Sequence, residues 1–433
     1  MRHSSTFIHY LMNMHTDSNR ILYFLLFTMV FQALLDFAVL KAWISFVRKQ
    51  QWSETWLIQP FIYLAGFMFS AGLYAVWERV TFGSYSQLGF IVQLCVFFWY
   101  LPKLPIALFL LGRSLIHFFI YLYKKINSSI KPHDEISQNI ESKSDLPIRS
   151  RREFLSKVGW SAASIPFIIT GDGLFRTVYD FRVYRVELVL NSLPAALDGI
   201  TIAQLSDIHS GSFPDNKPMK EVLRILQELK PDIITITGDY VNFKPDELSV
   251  TFNELAHLAA PLGVYGSLGN HDHYMTDLQH ALLKNTISKT GIQLLVNDSV
   301  NIPVHNTFLN IAATDNTGFN QHFANIDKAI SKCHSDTSTI LLAHDPTFWD
   351  AEILSKKPID LMLAGHTHGG QIGIQFAGLE ISPAQFVYKR WAGLYNEGHQ
   401  YLYVNRGIGT VGPPIRIGIN PEITLFTLRS KIA

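Results

Sequence analysis

The 433-residue sequence predicts an all-α membrane-spanning region followed by an α/β domain. Two observations carry this. The first 125 residues hold nearly all of the apolar excess, in runs long enough to cross a bilayer. From Tyr184 onward, short apolar strands alternate with helical patterns, and each strand runs straight into polar residues. The whole-chain averages hide this split. Basic and acidic residues nearly cancel (36 against 35, net charge +1), aromatics reach 13%, and charged residues are only 16%, against about 25% in a soluble domain. The charge balance excludes a nucleic-acid binder held by a basic surface, so no nucleic-acid partner is expected, and it excludes a disordered acidic chain.

In the first region, residues 21–40 (ILYFLLFTMVFQALLDFAVL) carry Asp36 as their only charge, and residues 56–77 (WLIQPFIYLAGFMFSAGLYAVW) carry none. Both reach the ~20 residues a span needs. Residues 88–101 and 104–123 follow, separated by Pro102, Lys103 and Pro105, and Trp and Tyr near several ends suit an interfacial belt. Residues 1–125 therefore read as about four transmembrane helices, the third being short. Within the fourth, Arg113 and His117 share a helical face. They mark either an intramembrane site or, for Arg113, a partner for Asp36. Cys95 and Cys333 lie too far apart in sequence to suggest a disulfide framework or a CxxC pair.

Residues 126–183 read as a polar linker with a short hydrophobic segment. Ser150-Arg151-Arg152-Glu153-Phe154-Leu155 precedes the weakly apolar run 158–169. That order resembles a twin-arginine export signal, which makes the twin-arginine export machinery a candidate partner, although such signals ordinarily open a chain. The other reading is a positively charged flank of a fifth hydrophobic segment. Both readings place the catalytic half on the extracytoplasmic side, with the cytoplasmic face as the alternative, because basic residues also flank the earlier spans.

In the second region, strands are expected over 200–205, 233–237, 264–268, 339–343 and 359–364. Helices are expected over 219–229, 247–259, 277–290 and 326–333. Alternation of this kind places functional groups in loops at the carboxyl ends of strands. Those ends read Asp207-Ile208-His209, Gly238-Asp239, Gly269-Asn270-His271-Asp272, His344-Asp345 and Gly365-His366-Thr367-His368-Gly369. Each presents a carboxylate, an imidazole or an amide, often beside a glycine that permits a tight turn. Singly, Asp207, Asp239 and Asn270 could cap helices. Five such blocks in order within about 165 residues set that reading aside.

The set Asp-x-His, Gly-Asp, Gly-Asn-His-Asp, His and Gly-His-x-His resembles the calcineurin-like metallophosphoesterase superfamily. The ending Gly-His-Thr-His-Gly-Gly-Gln and Asn405-Arg406-Gly407 look like its bacterial membrane-associated or exported branch. The resemblance covers residues 184–433 and implies a four-layer α/β/β/α sandwich. It further implies two divalent metal ions, one on Asp207, His209 and His368, the other on Asn270, His344 and His366, with Asp239 bridging. Ligation by oxygen and nitrogen suits Mn, Fe, Zn or Co. A metal-bridging hydroxide would be the nucleophile. His271 would act as general acid, and Asp272 would orient or charge its ring. The substrate would be a phosphoester, lipid-linked in a chain tethered to membrane lipid. Phospholipids, lipid-linked sugar pyrophosphates and a nucleotide-linked lipid A precursor are candidates. Two other classes compete: a catalytically silent metal-binding scaffold, and a regulatory domain of a membrane channel or sensor. His273 reads as a surface histidine. Arg406 reads equally as a phosphate ligand or a turn residue, and Asp315 has no assigned role. His257, His280, His305, His322, His334 and His399 match no block.

Overall fold

The computed structural model describes residues 18–82, 86–128, 145–318, 321–376 and 379–431. Two compact units divide the chain at Gly171 and Asp172.

Four long helices make up most of the first unit: α1 (Ser18–Lys49), α2 (Gln59–Phe82), α3 (Gln87–Tyr100) and α4 (Lys103–Ser128). By length and apolarity, three described stretches could cross a bilayer: Leu25–Lys49, Glu54–Arg79 and Gln87–Asn127. The third contains both α3 and α4, which break at Leu101-Pro102 because proline forbids the preceding hydrogen-bond pattern. With 14 residues, α3 rises only ~21 Å at 1.5 Å per residue, short of a ~30 Å hydrocarbon core. The 26-residue α4 that follows rises ~39 Å and is long enough to cross by itself. Residues 129–144 of the expected linker lie outside the described residues. Most of its described remainder is helical, as α5 (Asp145–Ala162) and α6 (Ile165–Phe175). Arg151 and Arg152 thus sit inside a helix. Pro166, near the start of α6, occupies a position where its missing N–H costs nothing.

Asp36 takes a different partner from the one the sequence suggested. Its carboxylate pairs with Lys103, not Arg113, and accepts a hydrogen bond from the Tyr100 hydroxyl at 2.9 Å. The Lys103 ammonium also lies 3.3 Å from the Trp99 ring centroid, a cation–π contact that partly replaces lost hydration. Lys103 is fully buried. Arg113 and His117 are exposed on α4, and the His117 Nδ1 faces the Arg113 carbonyl one turn back. Removing one member of a buried pair strands the other charge. Lys103→Met should therefore cost about 3–5 kcal/mol in chemical unfolding of the detergent-solubilised chain. The double variant Asp36→Leu/Lys103→Met should recover most of that loss.

The second unit is built on two six-stranded sheets. One contains β1 (Arg182–Leu190), β2 (Thr201–Leu205), β3 (Ile233–Thr237), β4 (Val264–Ser267), β5 (Gln293–Leu294) and β14 (Glu422–Ser430), in the order β1-β14-β2-β3-β4-β5. The other contains β6 (Asp298–Val304), β7 (Thr307–Ala313), β8 (Thr339–Leu342), β9 (Leu361–Ala364), β12 (Gly393–Glu397) and β13 (Gln400–Val404), in the order β12-β13-β9-β8-β7-β6. The central strands β2, β3 and β4 run parallel, as do β7, β8, β9 and β13. Burial on both faces explains why they read as continuous apolar runs.

Three apolar cores separate four layers. Ile202, Leu309, Leu363 and Phe426 help fill the space between the sheets. Helices α7 (Lys217–Leu229), α8 (Phe252–Ala256) and α9 (Asp277–Ser288) cover the first sheet through Met219, Val222, Leu255 and Leu283. On the second sheet, Trp349, Ile353 and α10 (Ile326–Ile330) close the outer core. This is the α/β/β/α sandwich that the resemblance implied. One expected helix differs: residues 247–259 form a 3₁₀ segment, Pro245–Val250, and then α8. The break falls at Thr251, whose buried hydroxyl lies 2.8 Å from that of Ser210. This tertiary contact overrides the local helical preference.

Candidate metal centre

All five sequence blocks fall in loops directly after strands of the two sheets. Asp207 and His209 follow β2, Asp239 follows β3, and Asn270–Asp272 follow β4. His344 follows β8, and His366 and His368 follow β9. The facing sheets therefore deliver ligand-type side chains to one buried place. Potential ligand atoms of Asp207, His209 and His368 lie within 4.8 Å of one another, as do those of Asp239, His344 and His366. A third such set is His209, Asp239 and His271.

The backbone is bent to achieve this. Asp207, His209, Asp239, His366 and His368 all have φ between 44° and 74°. This left-handed region is uncommon for residues with a Cβ, and it clusters at functional sites. Two glycines allow the loops to approach each other. A Cβ on Gly365 would lie 1.9 Å from Ser206 Oγ, and one on Gly269 would lie 2.2 Å from Asp239 Oδ1.

Asp239 occupies the middle of the site. Its Oδ2 lies 3.0 Å from His344 Nε2 and 3.5 Å from His209 Nε2, while its Oδ1 accepts from the His271 N–H at 2.8 Å. The Asp207 carboxylate accepts from the His366 N–H and lies 3.2 Å from His368 Nε2. His209 Nε2 and His368 Nε2 face each other at 3.1 Å, and His366 Nδ1 lies 2.8 Å from Asn270 Oδ1 and 3.3 Å from His344 Nε2.

The electrostatics favour lone-pair donation. Burial drives His209 down to about 3, His366 to about 4 and His368 well below its ordinary range, which keeps these imidazoles neutral. His344 goes the other way. Burial opposes its charge, but Asp239 and Asp207 outweigh it and raise it to about 10. Burial raises Asp207 to about 6. A cation placed among these groups would take over the compensating role of the His344 proton. Neutral nitrogens that face one another, next to carboxylates, therefore suit a divalent metal.

Orienting contacts complete the arrangement. His344 Nδ1 donates to the Thr237 carbonyl at 2.6 Å, which turns Nε2 toward Asp239. His366 Nε2 lies 3.0 Å from the Tyr388 hydroxyl, leaving Nδ1 for the site. Asn270 Nδ2 donates to the Tyr274 hydroxyl at 2.7 Å, leaving Oδ1 free to face His366. Tyr388 and Tyr274 were not recognised in the sequence. Tyr388 lies 22 positions beyond His366 in a stretch without a motif, and nothing in the local pattern marks it.

The expected partner of the His271 ring changes, and with it the role of Asp272. His271 Nδ1 donates to the Asn242 carbonyl at 2.8 Å, so a main-chain oxygen orients the ring. The Asp272 carboxylate instead accepts main-chain N–H groups of Asp239, Tyr240 and Gly269, each at 2.9 Å. It ties the β3 and β4 loops together. Asp272→Asn replaces acceptor capacity with a donor facing other donors. It should destabilise the unit by about 1–3 kcal/mol, seen as a thermal midpoint several degrees lower.

Arg406 is a structural residue: its guanidinium is buried between Glu380 and Glu422, with donors committed to both carboxylates. His273 is largely buried, not on the surface. Its Nε2 pairs with Asp315 at 2.7 Å, and its ring stacks between His280 and Phe323. That contact also gives Asp315 a role in holding the His273 ring in place.

A two-sheet sandwich with buried histidine and aspartate clusters at its strand ends defines a metallophosphoesterase-type site. A sequence profile of the calcineurin-like phosphoesterases matches residues 200–370, and a second, described as "Probable Calcineurin-like phosphoesterase, transmembrane domain", matches residues 19–178. The chain belongs to the calcineurin-like phosphoesterase family, and it is a membrane protein. It is 34% identical over 294 residues to "Uncharacterized metallophosphoesterase YkuE" of Bacillus subtilis, an alignment covering 65% of this chain and 98% of that one. It is 30% identical to the bovine "Transmembrane protein with metallophosphoesterase domain", with 62% of each chain covered. Against "Phosphodiesterase YaeI" of Escherichia coli the identity is 29%, over 64% of this chain and 99% of the other.

Proposed function

We propose that the chain is a membrane-anchored phosphoester hydrolase that uses two divalent metal ions. The observation that carries this reading is the position of Asp239, with one carboxylate oxygen between His344 and His209 and ligand clusters on either side. Asp207, His209 and His368 would hold one ion, Asn270, His344 and His366 the other, and Asp239 would serve both. Bound there, the ions would supply Lewis acidity and a water of lowered pKa. The site has no need of a Ser or Cys nucleophile.

His271 is placed to move the other proton. Its ring stands edge-on to His209 at 4.7 Å between centroids. With Nδ1–H engaged by the Asn242 carbonyl, Nε2 is the ring nitrogen that would carry a proton to the leaving oxygen. Phe243 and Tyr274 pack against the same ring and limit its rotation. This acid-like placement favours a working enzyme over a silent scaffold. The channel or sensor reading rested on Arg113 and His117, which lie on an exposed helical face.

The full chain, purified in detergent and stripped with a chelator, should lose hydrolysis of a soluble nitrophenyl phosphodiester and regain it with Mn²⁺. No turnover with Mn²⁺, Fe²⁺, Zn²⁺ or Co²⁺ would overturn the proposal. We further place the catalytic unit on the extracytoplasmic side, following Arg151-Arg152 and the apolar segment after them. Export by the twin-arginine machinery is part of that reading. A C-terminal reporter active only in the cytoplasm should therefore be silent.

A further inference from the structure

Between two of the ligand-type histidines' loops and β12 the chain makes an excursion that begins at one site residue and returns to another. It leaves at His368, turns through Gly369 and Gly370, and forms the hairpin β10 (Ile374–Phe376) and β11 (Leu379–Ile381). A short turn, Pro383–Phe386, follows, and Tyr388 then touches His366. Hairpin, turn and Tyr388 thus belong to one excursion of the chain.

Its exposed surface is apolar. Ile372, Ile374, Leu379, Ile381, Phe386 and Val387 are all exposed, Phe386 at 84% and Val387 at 73%. The hairpin faces the opposite way from one exposed to water. Its polar pair, Gln375 and Glu380, is hydrogen-bonded together, and Glu380 is fixed to the buried Arg406. Its apolar pair, Ile374 and Ile381, lies on the outward face. A concentration of exposed apolar side chains in one short segment, its polar face held inward by a buried ion pair, marks an interaction surface.

The chain's own tether identifies the occupant. The transmembrane-domain match runs to residue 178, and β1 begins at Arg182. Where the chain enters the catalytic unit, the Gly173 carbonyl accepts from the Arg416 N–H at 3.2 Å. The adjacent Ile417 exchanges main-chain hydrogen bonds with Gln371 (2.9 Å) and Gly373 (2.8 Å), at the root of β10. The first residues of the catalytic unit therefore lie beside this hairpin, and a bilayer is the apolar phase a membrane-tethered chain has at hand.

We propose that the β10–β11 hairpin and the Phe386-Val387 turn insert into the interfacial layer of the bilayer. The metal centre would then open at headgroup level, and the substrate would be a membrane-resident phosphoester with an apolar tail. Insertion stands by itself; the substrate class rests on the hydrolase reading above.

The test uses the full chain reconstituted in phosphatidylcholine/phosphatidylglycerol vesicles. A nitroxide is placed by Phe386→Cys, with Cys95→Ser and Cys333→Ser, and a second by Leu278→Cys, an 85% exposed position on α9. At 386 the label should collide more with dissolved oxygen than with an aqueous nickel complex, and the reverse should hold at 278. Equal nickel access at both positions, or protection of 386 from both reagents by the protein's own helices, would refute insertion. Phe386→Ser/Val387→Ser should lower hydrolysis of a vesicle-embedded lipid bearing a nitrophenyl phosphodiester headgroup at least tenfold. It should leave the soluble nitrophenyl phosphodiester within twofold. Equal loss on both, or a parent chain that cleaves only the soluble ester, would overturn the lipid substrate. A parent that cleaves neither would sink the hydrolase reading, while the spin labels still decide insertion.

Discussion

Asp239→Asn should abolish metal-dependent hydrolysis, lowering kcat by about 10³-fold or more. The carboxylate faces both halves of the site at short range, Oδ2 near His344 and His209, Oδ1 on the His271 N–H. An amide keeps one acceptor oxygen but loses the negative charge and the second lone-pair donor. Metal-derived stabilisation of a transferring phosphoryl group amounts to several kcal/mol, and each 1.36 kcal/mol is tenfold in rate. The variant should also bind less metal, measured by elemental analysis after dialysis. Retained activity with a full metal complement would show that Asp239 is not the shared ligand. Because Asp239 is buried, circular dichroism of the variant must match the parent for the comparison to hold.

The second large effect is expected at His271. His271→Ala should lower kcat by about 10²–10⁴-fold, the usual worth of a positioned proton donor, with metal content unchanged. The leaving group supplies a sharper readout. A nitrophenolate departs without needing a proton, whereas an alkoxide does not, so the loss should be much larger for alkyl than for nitrophenyl esters. A loss of equal size for both, or one accompanied by loss of metal, would make His271 a ligand or a structural residue instead. The third cluster, His209, Asp239 and His271, shows why metal content has to be measured alongside rate.

The strand-end blocks were legible because ligation restricts residue type. Only a few side chains offer the necessary lone pairs, and the fold must present them at the ends of neighbouring strands. The groups that orient them were not. Asn242 acts through its carbonyl and Thr237 through its own, and any residue supplies a carbonyl. Tyr388 arrives by way of a hairpin excursion that leaves no periodic signal. Asp272 could be read as a carboxylate of the site, but its use on four main-chain N–H groups depends on how the β3 and β4 loops meet. In the membrane region, length and apolarity revealed the helices. The partner of Asp36 lies 67 positions away at Lys103, and only packing distinguishes it from Arg113. The late strands β12, β13 and β14 were not predicted at all. Two of them are short, and β14 closes the first sheet by pairing with β1 and β2 across most of the unit's sequence.

The central claim is a site for two metal ions that share Asp239. Loading the purified full chain with Mn²⁺, removing excess by gel filtration and measuring Mn against protein by inductively coupled plasma mass spectrometry tests it most directly. The account predicts two ions per chain in the parent, with Asp239→Asn retaining fewer. One ion or none in the parent would contradict it.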